Sequence, residues 1–211
     1  MIRVMLVDDH AVVRTGFRLL LQAQADVEVV AEAESGEAAC QRYLEVTPDV
    51  LVMDLAMPGM GGLEALRRIR ARHPQARVLA LSAHDDPMHA RRALNEGALG
   101  FLSKRGAPEA LIEAVTCVAS GRRYIDAGIA QKLVLEDVDG AAKSPVERLS
   151  EREFDVFLRL ANGATVQKIA EDLKLSASTV GTHLYNIKQK LGVANQSELT
   201  LIAIRHGLIE A

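Results

Sequence analysis

The stretch Val50-Leu51-Val52-Met53-Asp54-Leu55-Ala56-Met57-Pro58-Gly59-Met60-Gly61-Gly62 decides the fold. Its opening residues are apolar without interruption, the pattern of a strand buried on both faces in a parallel sheet covered by helices. The run ends in a carboxylate, and Pro58 with Gly59, Gly61 and Gly62 then forbids its continuation. Asp54 is therefore predicted at the carboxyl end of a central strand, where open α/β sheets place their ligands. A carboxylate is unfavourable there unless something uses it.

Working outward, apolar runs at 4–7, 27–31, 78–81 and 100–102 alternate with segments of helical periodicity. Val13, Gly16, Phe17 and Leu20 fall at i, i+3, i+4 and i+7, and Leu111, Ala114, Val115 and Val118 repeat the spacing. Strand and helix thus recur five times through residues 1–120. This predicts an α/β unit, a doubly wound (βα)5 parallel sheet with helices on both faces.

The predicted strand ends carry Asp8 and Asp9, then Asp54, then Ser82 with Ala83, and finally Lys104 after Phe101. Three converging carboxylates repel one another and are pushed toward protonation. A hard divalent cation resolves the conflict, and Mg2+ accepts a few oxygen ligands while keeping several waters. Lys104 adds a point charge and Ser82 a hydroxyl donor, a pair better suited to a phosphoryl group than to an ordinary metabolite. The chemistry inferred is phosphoryl transfer onto a carboxylate nucleophile, with the metal stabilising the equatorial oxygens. His10, His73, His84 and His89 share no ligand spacing and are expected to be ordinary surface or core histidines.

At 211 residues, with 49% apolar and 25% charged residues, the composition is that of a soluble protein of one or two domains. No apolar run approaches the roughly 18 residues of a membrane span. The amino-terminal residues lack the pattern of a secretion signal, so a cytoplasmic location and no membrane partner are expected. Cys40 and Cys117 lie far apart without a CxxC partner and are expected to be buried free thiols. Residues 1–120 hold 13 basic against 16 acidic side chains, and residues 150–211 hold 7 against 7. Binding to nucleic acid would therefore require a few cations on one face of a folded module, since no basic tail exists.

Residues 121–148 are expected to be a linker with a short helix: an amphipathic piece around 129–135 gives way to small, charged and proline-bearing residues at 137–145. A second domain is placed at 149–211. Ser150-Glu151-Arg152-Glu153 is a capping box, with Leu149 and Phe154 at the positions of a hydrophobic staple. Phe154, Phe157, Leu158 and Ala161 form the apolar face of its first helix, which Asn162-Gly163 stops. Thr165 opens a short second helix, Ser176 a third with Val180, Leu184, Ile187 and Leu191 buried, and 195–198 a fourth. The short turn between the second and third helices makes a smaller, all-α, four-helix helix-turn-helix domain. Its third helix turns Ser178, Thr179, Thr182, Tyr185, Lys188 and Gln189 outward, as a major-groove helix needs.

Residues 1–120 resemble the receiver domain of two-component response regulators, in Asp8-Asp9, Met53-Asp54-Leu55, Met57-Pro58-Gly59-Met60, Ser82-Ala83 and Gly100-Phe101-Leu102-Ser103-Lys104. Residues 149–211 resemble the LuxR-type DNA-binding domain in Leu149-Ser150-Glu151-Arg152-Glu153, Thr179-Val180-Gly181-Thr182-His183-Leu184 and Lys190-Leu191-Gly192-Val193. The whole chain is similar to NarL/FixJ-family response regulators. The resemblance implies a flavodoxin-like receiver, phosphorylation of Asp54, and Mg2+ held by Asp9, Asp54 and the Ala56 carbonyl, with Asp8 acting through water. It further implies that Lys104 and Ser82 bind the phosphoryl group and that Phe101 is the switch aromatic. Ala56 and His84 occupy the two variable positions beside the site, and Ala56, unable to orient water, implies a long-lived phosphoryl-aspartate. Arg105 stands where many receivers have proline, so the usual cis peptide is not assumed.

The implied partners are a sensor histidine kinase, double-stranded DNA, a second copy of the chain on phosphorylation, and RNA polymerase. Gly181 stands where the family often has lysine. Base reading is therefore assigned to Thr182 and Tyr185, and phosphate contacts to Lys188, Lys190 and His183 beside Ser178 and Thr179. The function implied is DNA-binding transcription regulation controlled by Asp54, without enzymatic activity beyond the phosphoacceptor reaction. Two other classes compete: an Asp-nucleophile phosphatase, which would carry its nucleophile on the first strand, and a phosphorylation-independent regulator with a vestigial or ligand-sensing receiver. A helical bundle that binds protein is the plain alternative for the second half.

Overall fold

Parallel pairing throughout joins β1 (Ile2–Val7), β2 (Val27–Ala33), β3 (Val50–Asp54), β4 (Val78–Ser82), β5 (Gly100–Ser103) and β6 (Tyr124–Ile125) into one sheet in the order β2-β1-β3-β4-β5-β6. This computed structural model describes residues 1–83, 87–138, 145–173, 175–206 and 208–209. The chain divides into two units, Met1–Val138 and Asp139–Ala211. Among the described residues no helix is long and apolar enough to cross a membrane. His84, the expected flanking residue of the site, lies outside the described residues.

Helices α1 (Ala11–Gln22), α2 (Gly36–Val46), α3 (Gly62–Arg72), α4 (Pro87–Asn95) and α5 (Pro108–Ala119) follow β1 to β5 in turn. Alternation along each strand splits the core in two. Val4, Leu6, Val50, Val52, Leu79 and Leu81 pack with Leu111 and Val115 of α5. Met5, Val7, Leu51, Met53 and Phe101 pack with Ala65 and Leu66 of α3 and Ala90 and Ala93 of α4. Because β1 lies between β2 and β3, the chain reverses its winding direction there. The crevice so formed opens at the carboxyl ends of β1 and β3, after Val7 and at Asp54.

The structure differs from the sequence expectation after residue 120. The sheet has a sixth strand, and the segment read as linker begins with folded structure. β6 pairs in register with β5, Gly100 opposite Tyr124 and Phe101 opposite Ile125. Asp126 then caps α6 (Ala127–Val138) by accepting from the Gly128 amide at 3.0 Å. Ile129 is buried in the core with Phe101, and Leu133 packs against it. A two-residue strand carries too little pattern to be read from sequence, which is why only the amphipathic piece was visible. Cys40 and Cys117 are free thiols, each half-buried rather than buried.

In the second unit a 3-10 turn at Pro145–Arg148 precedes α7 (Glu151–Ala161), α8 (Val166–Asp172), α9 (Ala177–Leu191) and α10 (Gln196–Arg205). Val146 is fully buried, three residues ahead of the expected boundary. The Ser150/Glu153 capping box forms as read, and Leu149 and Phe154 are both buried.

Gly62 shows why the loop after Asp54 is glycine-rich. A Cβ at Gly62 would stand 1.9 Å from the Asp54 carbonyl oxygen and 2.8 Å from Leu55 Cα, so the first turn of α3 lies directly on the strand end. At Gly181, in the interior of α9, a Cβ would meet open space. Gly62→Ala is expected to destabilise the chain by about 1–3 kcal/mol through overpacking. Gly181→Ala is expected to stabilise it by up to about 1 kcal/mol through helix propensity. Urea unfolding of the full chain reads both.

Candidate functional site

Three strand ends meet around one ammonium group. Lys104, just past β5, places Nζ 2.6 Å from Asp8 Oδ2 and 2.7 Å from Asp54 Oδ2. Asp8 is 2% and Asp54 1% exposed, so the two carboxylates share this cation away from water. The second oxygen of Asp54 accepts from the Ala56 amide at 3.1 Å, and that of Asp8 from the His10 amide at 2.8 Å. Burial pushes the Asp54 carboxyl above the ordinary carboxylate range, with Asp8 adding to the rise and Lys104 and the Ala56 amide opposing it. Burial acts to lower the Lys104 ammonium, but Asp54 and Asp8 outweigh it and hold its pKa above the usual lysine value.

Asp9 stands beside this pair. Its Oδ1 is buried yet accepts no hydrogen bond, and His10 Nδ1 lies 3.0 Å from it and 3.4 Å from Asp8 Oδ1. Each of Asp8, Asp9, His10 and Asp54 brings a ligand atom within 4.8 Å of the others. Ser82 ends β4 one residue past Leu81, the register partner of Asp54, and is 1% exposed. The Ser82 carbonyl accepts from the Lys104 amide at 2.8 Å. Phe101 is fully buried, and no cis peptide occurs among the described residues. The sequence reading missed His10, whose one signal was its position directly after Asp8-Asp9.

In the second unit, Val180 and Ile187 bury one side of α9 while Ser178, Thr179, Thr182 and Tyr185 are exposed, Tyr185 to 64%. Ser176 caps the helix: its Oγ accepts from the Thr179 amide at 3.0 Å and lies 2.8 Å from the hydroxyls of both Ser178 and Thr179. Thr182 Oγ1 donates to the Ser178 carbonyl at 3.1 Å. His183 is half-buried, and burial pushes its imidazole pKa down, with Arg152 adding to the fall and Glu153 opposing it. Lys188 Nζ donates to the neutral Ala194 carbonyl at 2.9 Å. Lys190 Nζ is instead held 2.5 Å from Glu153 Oε2, the buried carboxylate of the α7 capping box.

The family model of the response regulator receiver domain matches residues 4–116, and that of bacterial regulatory proteins of the luxR family matches residues 147–203. The response regulator GacA of Pseudomonas protegens is 41% identical over 211 residues, covering 100% of this chain and 99% of its own. The response regulator UvrY of Escherichia coli K12 is 40% identical over 212 residues, covering 100% and 97%. The chain belongs to the response regulator family.

Two solved structures are similar to it. A LuxR-family two-component response regulator from an Aurantimonas species is 41% identical over 65% of this chain and 99% of its own, with a TM-score of 0.64. RcsB of Salmonella enterica serovar Typhimurium, solved bound to a promoter in the presence of the phosphomimetic BeF3-, is 27% identical over 95% of this chain and 97% of its own, with a TM-score of 0.65. This response regulator joins a receiver domain to a LuxR-type DNA-binding domain in the NarL/FixJ arrangement and acts in DNA-binding transcription regulation within a two-component system. Receiver domains bind Mg2+ at an acidic pocket, and the residues here fit such an ion. A buried carboxylate oxygen without a donor, as at Asp9, is what a hard cation satisfies.

The Glu153–Lys190 pair gives the second unit a pH dependence. Burial acts to raise the Glu153 carboxyl, but hydrogen bonds from Lys190 and Ser150 outweigh it and hold its pKa below the ordinary value. Its stabilisation is fully present above the unfolded carboxylate pKa and is lost as pH falls through the lowered folded one. Lys190→Ala is expected to destabilise the chain at neutral pH by about 1 kcal/mol, partial exposure of the ammonium screening the pair. Removing Lys190 also takes away much of what lowers the Glu153 carboxyl, so the variant should lose less stability than wild type as pH falls through the carboxylate range, the two converging in acid. Denaturant titrations of the full chain across the acid range check both.

Proposed function

We propose that Asp54 accepts a phosphoryl group from a sensor histidine kinase and that the added charge controls dimerisation and sequence-specific DNA binding. The observation that carries this reading is the single Lys104 ammonium shared between Asp8 and Asp54 in a buried pocket. An oxygen of Asp54 attacks the phosphorus, and the bond to the donor imidazole breaks. The Ala56 amide, already on Asp54, and Lys104 orient the carboxylate for the attack. Asp9, Asp54 and the Ala56 carbonyl would hold Mg2+, with Asp8 behind a water. Bound there, the ion neutralises charge on the transferring phosphoryl oxygens.

Once Asp54 carries a phosphoryl group, the ammonium of Lys104 pairs with its oxygens and the Ser82 hydroxyl donates to one of them. Phe101, fully buried on the strand after Ser82, is the packing element placed to respond. Ala56 offers no side-chain polar group to orient a hydrolytic water, so the phosphoryl-aspartate persists. The protein is a phosphoacceptor whose chemistry is confined to its own Asp54, and it works in the cytoplasm.

On the DNA side, Thr182 and Tyr185 read bases, Ser178 and Thr179 support the helix start at the backbone, and Lys188 meets a phosphate. Lys190 and His183, expected at phosphates, are assigned to packing instead, because one is engaged by Glu153 and the other is half-buried.

Incubation of the full chain with a small phosphodonor and Mg2+ is expected to add one phosphoryl mass to wild type and none to Asp54→Ala, by intact mass measurement. Unmodified wild type would favour a phosphorylation-independent regulator. On DNA, Tyr185→Ala is expected to lose about 1–3 kcal/mol at the operator alone. Lys188→Ala should weaken specific and non-specific duplex alike and reduce the salt slope by about one. Binding measured at several salt concentrations separates the two.

A further inference from the structure

His10 occupies the N-cap position of α1 but makes no side-chain cap bond; its ring turns back over the carboxylates. Nδ1 stands 3.0 Å from Asp9 Oδ1, and that oxygen is buried and accepts no hydrogen bond. The imidazole nitrogen and the carboxylate oxygen thus lie side by side at the mouth of the acidic pocket. Nδ1 is also 3.4 Å from Asp8 Oδ1. Neighbouring ligands of an octahedral ion with bonds of about 2.1 Å lie about 3 Å apart, so the imidazole stands at ligand spacing from Asp9, the acid read above as a direct ligand.

We infer that His10 Nδ1 is a direct ligand of the receiver's metal site and biases that site toward first-row transition ions such as Mn2+ over Mg2+. Mg2+ prefers oxygen and gives up its waters reluctantly, whereas imidazole nitrogen is a good donor to Mn2+, Co2+ and Ni2+. A pocket of carboxylates alone gains little from exchanging one ion for the other. One nitrogen donor makes the exchange favourable. The His10 side chain is 66% exposed, so its outer edge meets solvent while Nδ1 faces the pocket, and its removal disturbs no core packing. The inference rests on the reading of the Asp9–Asp54 pocket as the metal site, and the test separates the two.

Calorimetric titration of the full chain with Mn2+ and with Mg2+ compares wild type, His10→Ala and Asp9→Asn, and pulsed electron paramagnetic resonance looks for nitrogen coupling to bound Mn2+. His10→Ala is expected to weaken Mn2+ by about tenfold and Mg2+ by less than about twofold, with histidine nitrogen coupling present in wild type and lost in the variant. Asp9→Asn should weaken both ions. If Asp9→Asn weakens both while His10→Ala changes neither, or changes both equally, or if wild-type Mn2+ shows no nitrogen coupling, the role of His10 is overturned and the pocket stands. If Asp9→Asn leaves both ions unaffected, the pocket itself is misread and the inference falls with it.

Discussion

One buried ammonium shared by two carboxylates is the constraint on which the receiver depends. Asp8 follows β1, Asp54 ends β3 and Lys104 follows β5, so the Lys104 side chain reaches across the end of β4 to hold both acids. Remove the cation and two anions remain in a place with almost no water, an arrangement worse than either alone. The same lysine donates its backbone amide to the Ser82 carbonyl, so the β4 and β5 ends are tied to the pocket by side chain and main chain together. A change of charge at Asp54 must redistribute Lys104, and Lys104 cannot shift without loading the ends of two strands. The coupling element is thus built from short hydrogen bonds between strand ends rather than from any long relay.

How much of this was legible in the sequence depended on whether the signal was local. The five long strands announce themselves by apolar runs that stop at Asp, Glu or Ser, and the pocket residues are these stops or their immediate neighbours. The fold and the convergence of Asp8, Asp9, Asp54 and Lys104 could therefore be read directly. β6 could not: two residues, Tyr124 and Ile125, carry no period, and their pairing is decided by the exposed edge of β5. His10 was read as an ordinary histidine because adjacency to two acids does not say which way a ring turns. Lys190 was read as a phosphate contact, and its pairing with Glu153, 37 residues away on another helix, has no local signal in the sequence. Glycine was read as a turn signal at Gly62, where the structure shows instead a demand for close backbone approach.

The DNA-binding unit has an electrostatic economy that follows from the same pair. Its 7 basic residues are matched by 7 acidic ones, and Lys190 is further committed to a buried carboxylate. Non-specific attraction to duplex scales with the number of phosphates neutralised. With Lys188 as the other lysine of α9, one copy of the unit has little of that attraction to draw on. Affinity must then come from two copies on two half-sites, where each weak module raises the effective concentration of the other. A module so nearly neutral is one whose occupancy of DNA can be set by dimerisation rather than by charge.

Magnitudes decide how the two halves share the work. Moving a two-state equilibrium from 1:99 to 99:1 takes roughly 5.5 kcal/mol of differential binding. A hydrogen bond to a charged group contributes about 1.5–3 kcal/mol, so the Ser82 hydroxyl on a phosphoryl oxygen cannot supply the whole. In the proposed mechanism Lys104 adds less than its new ion pair suggests, because it gives up two good carboxylate contacts in order to move. The net gain inside the receiver is the difference between two well-satisfied arrangements of one cation, which is small by construction. In the proposed mechanism a dimer interface supplies the remainder, and its contribution grows with protein concentration. On the proposed reading, phosphorylation and assembly act as one linked equilibrium, in which neither step alone carries the switch.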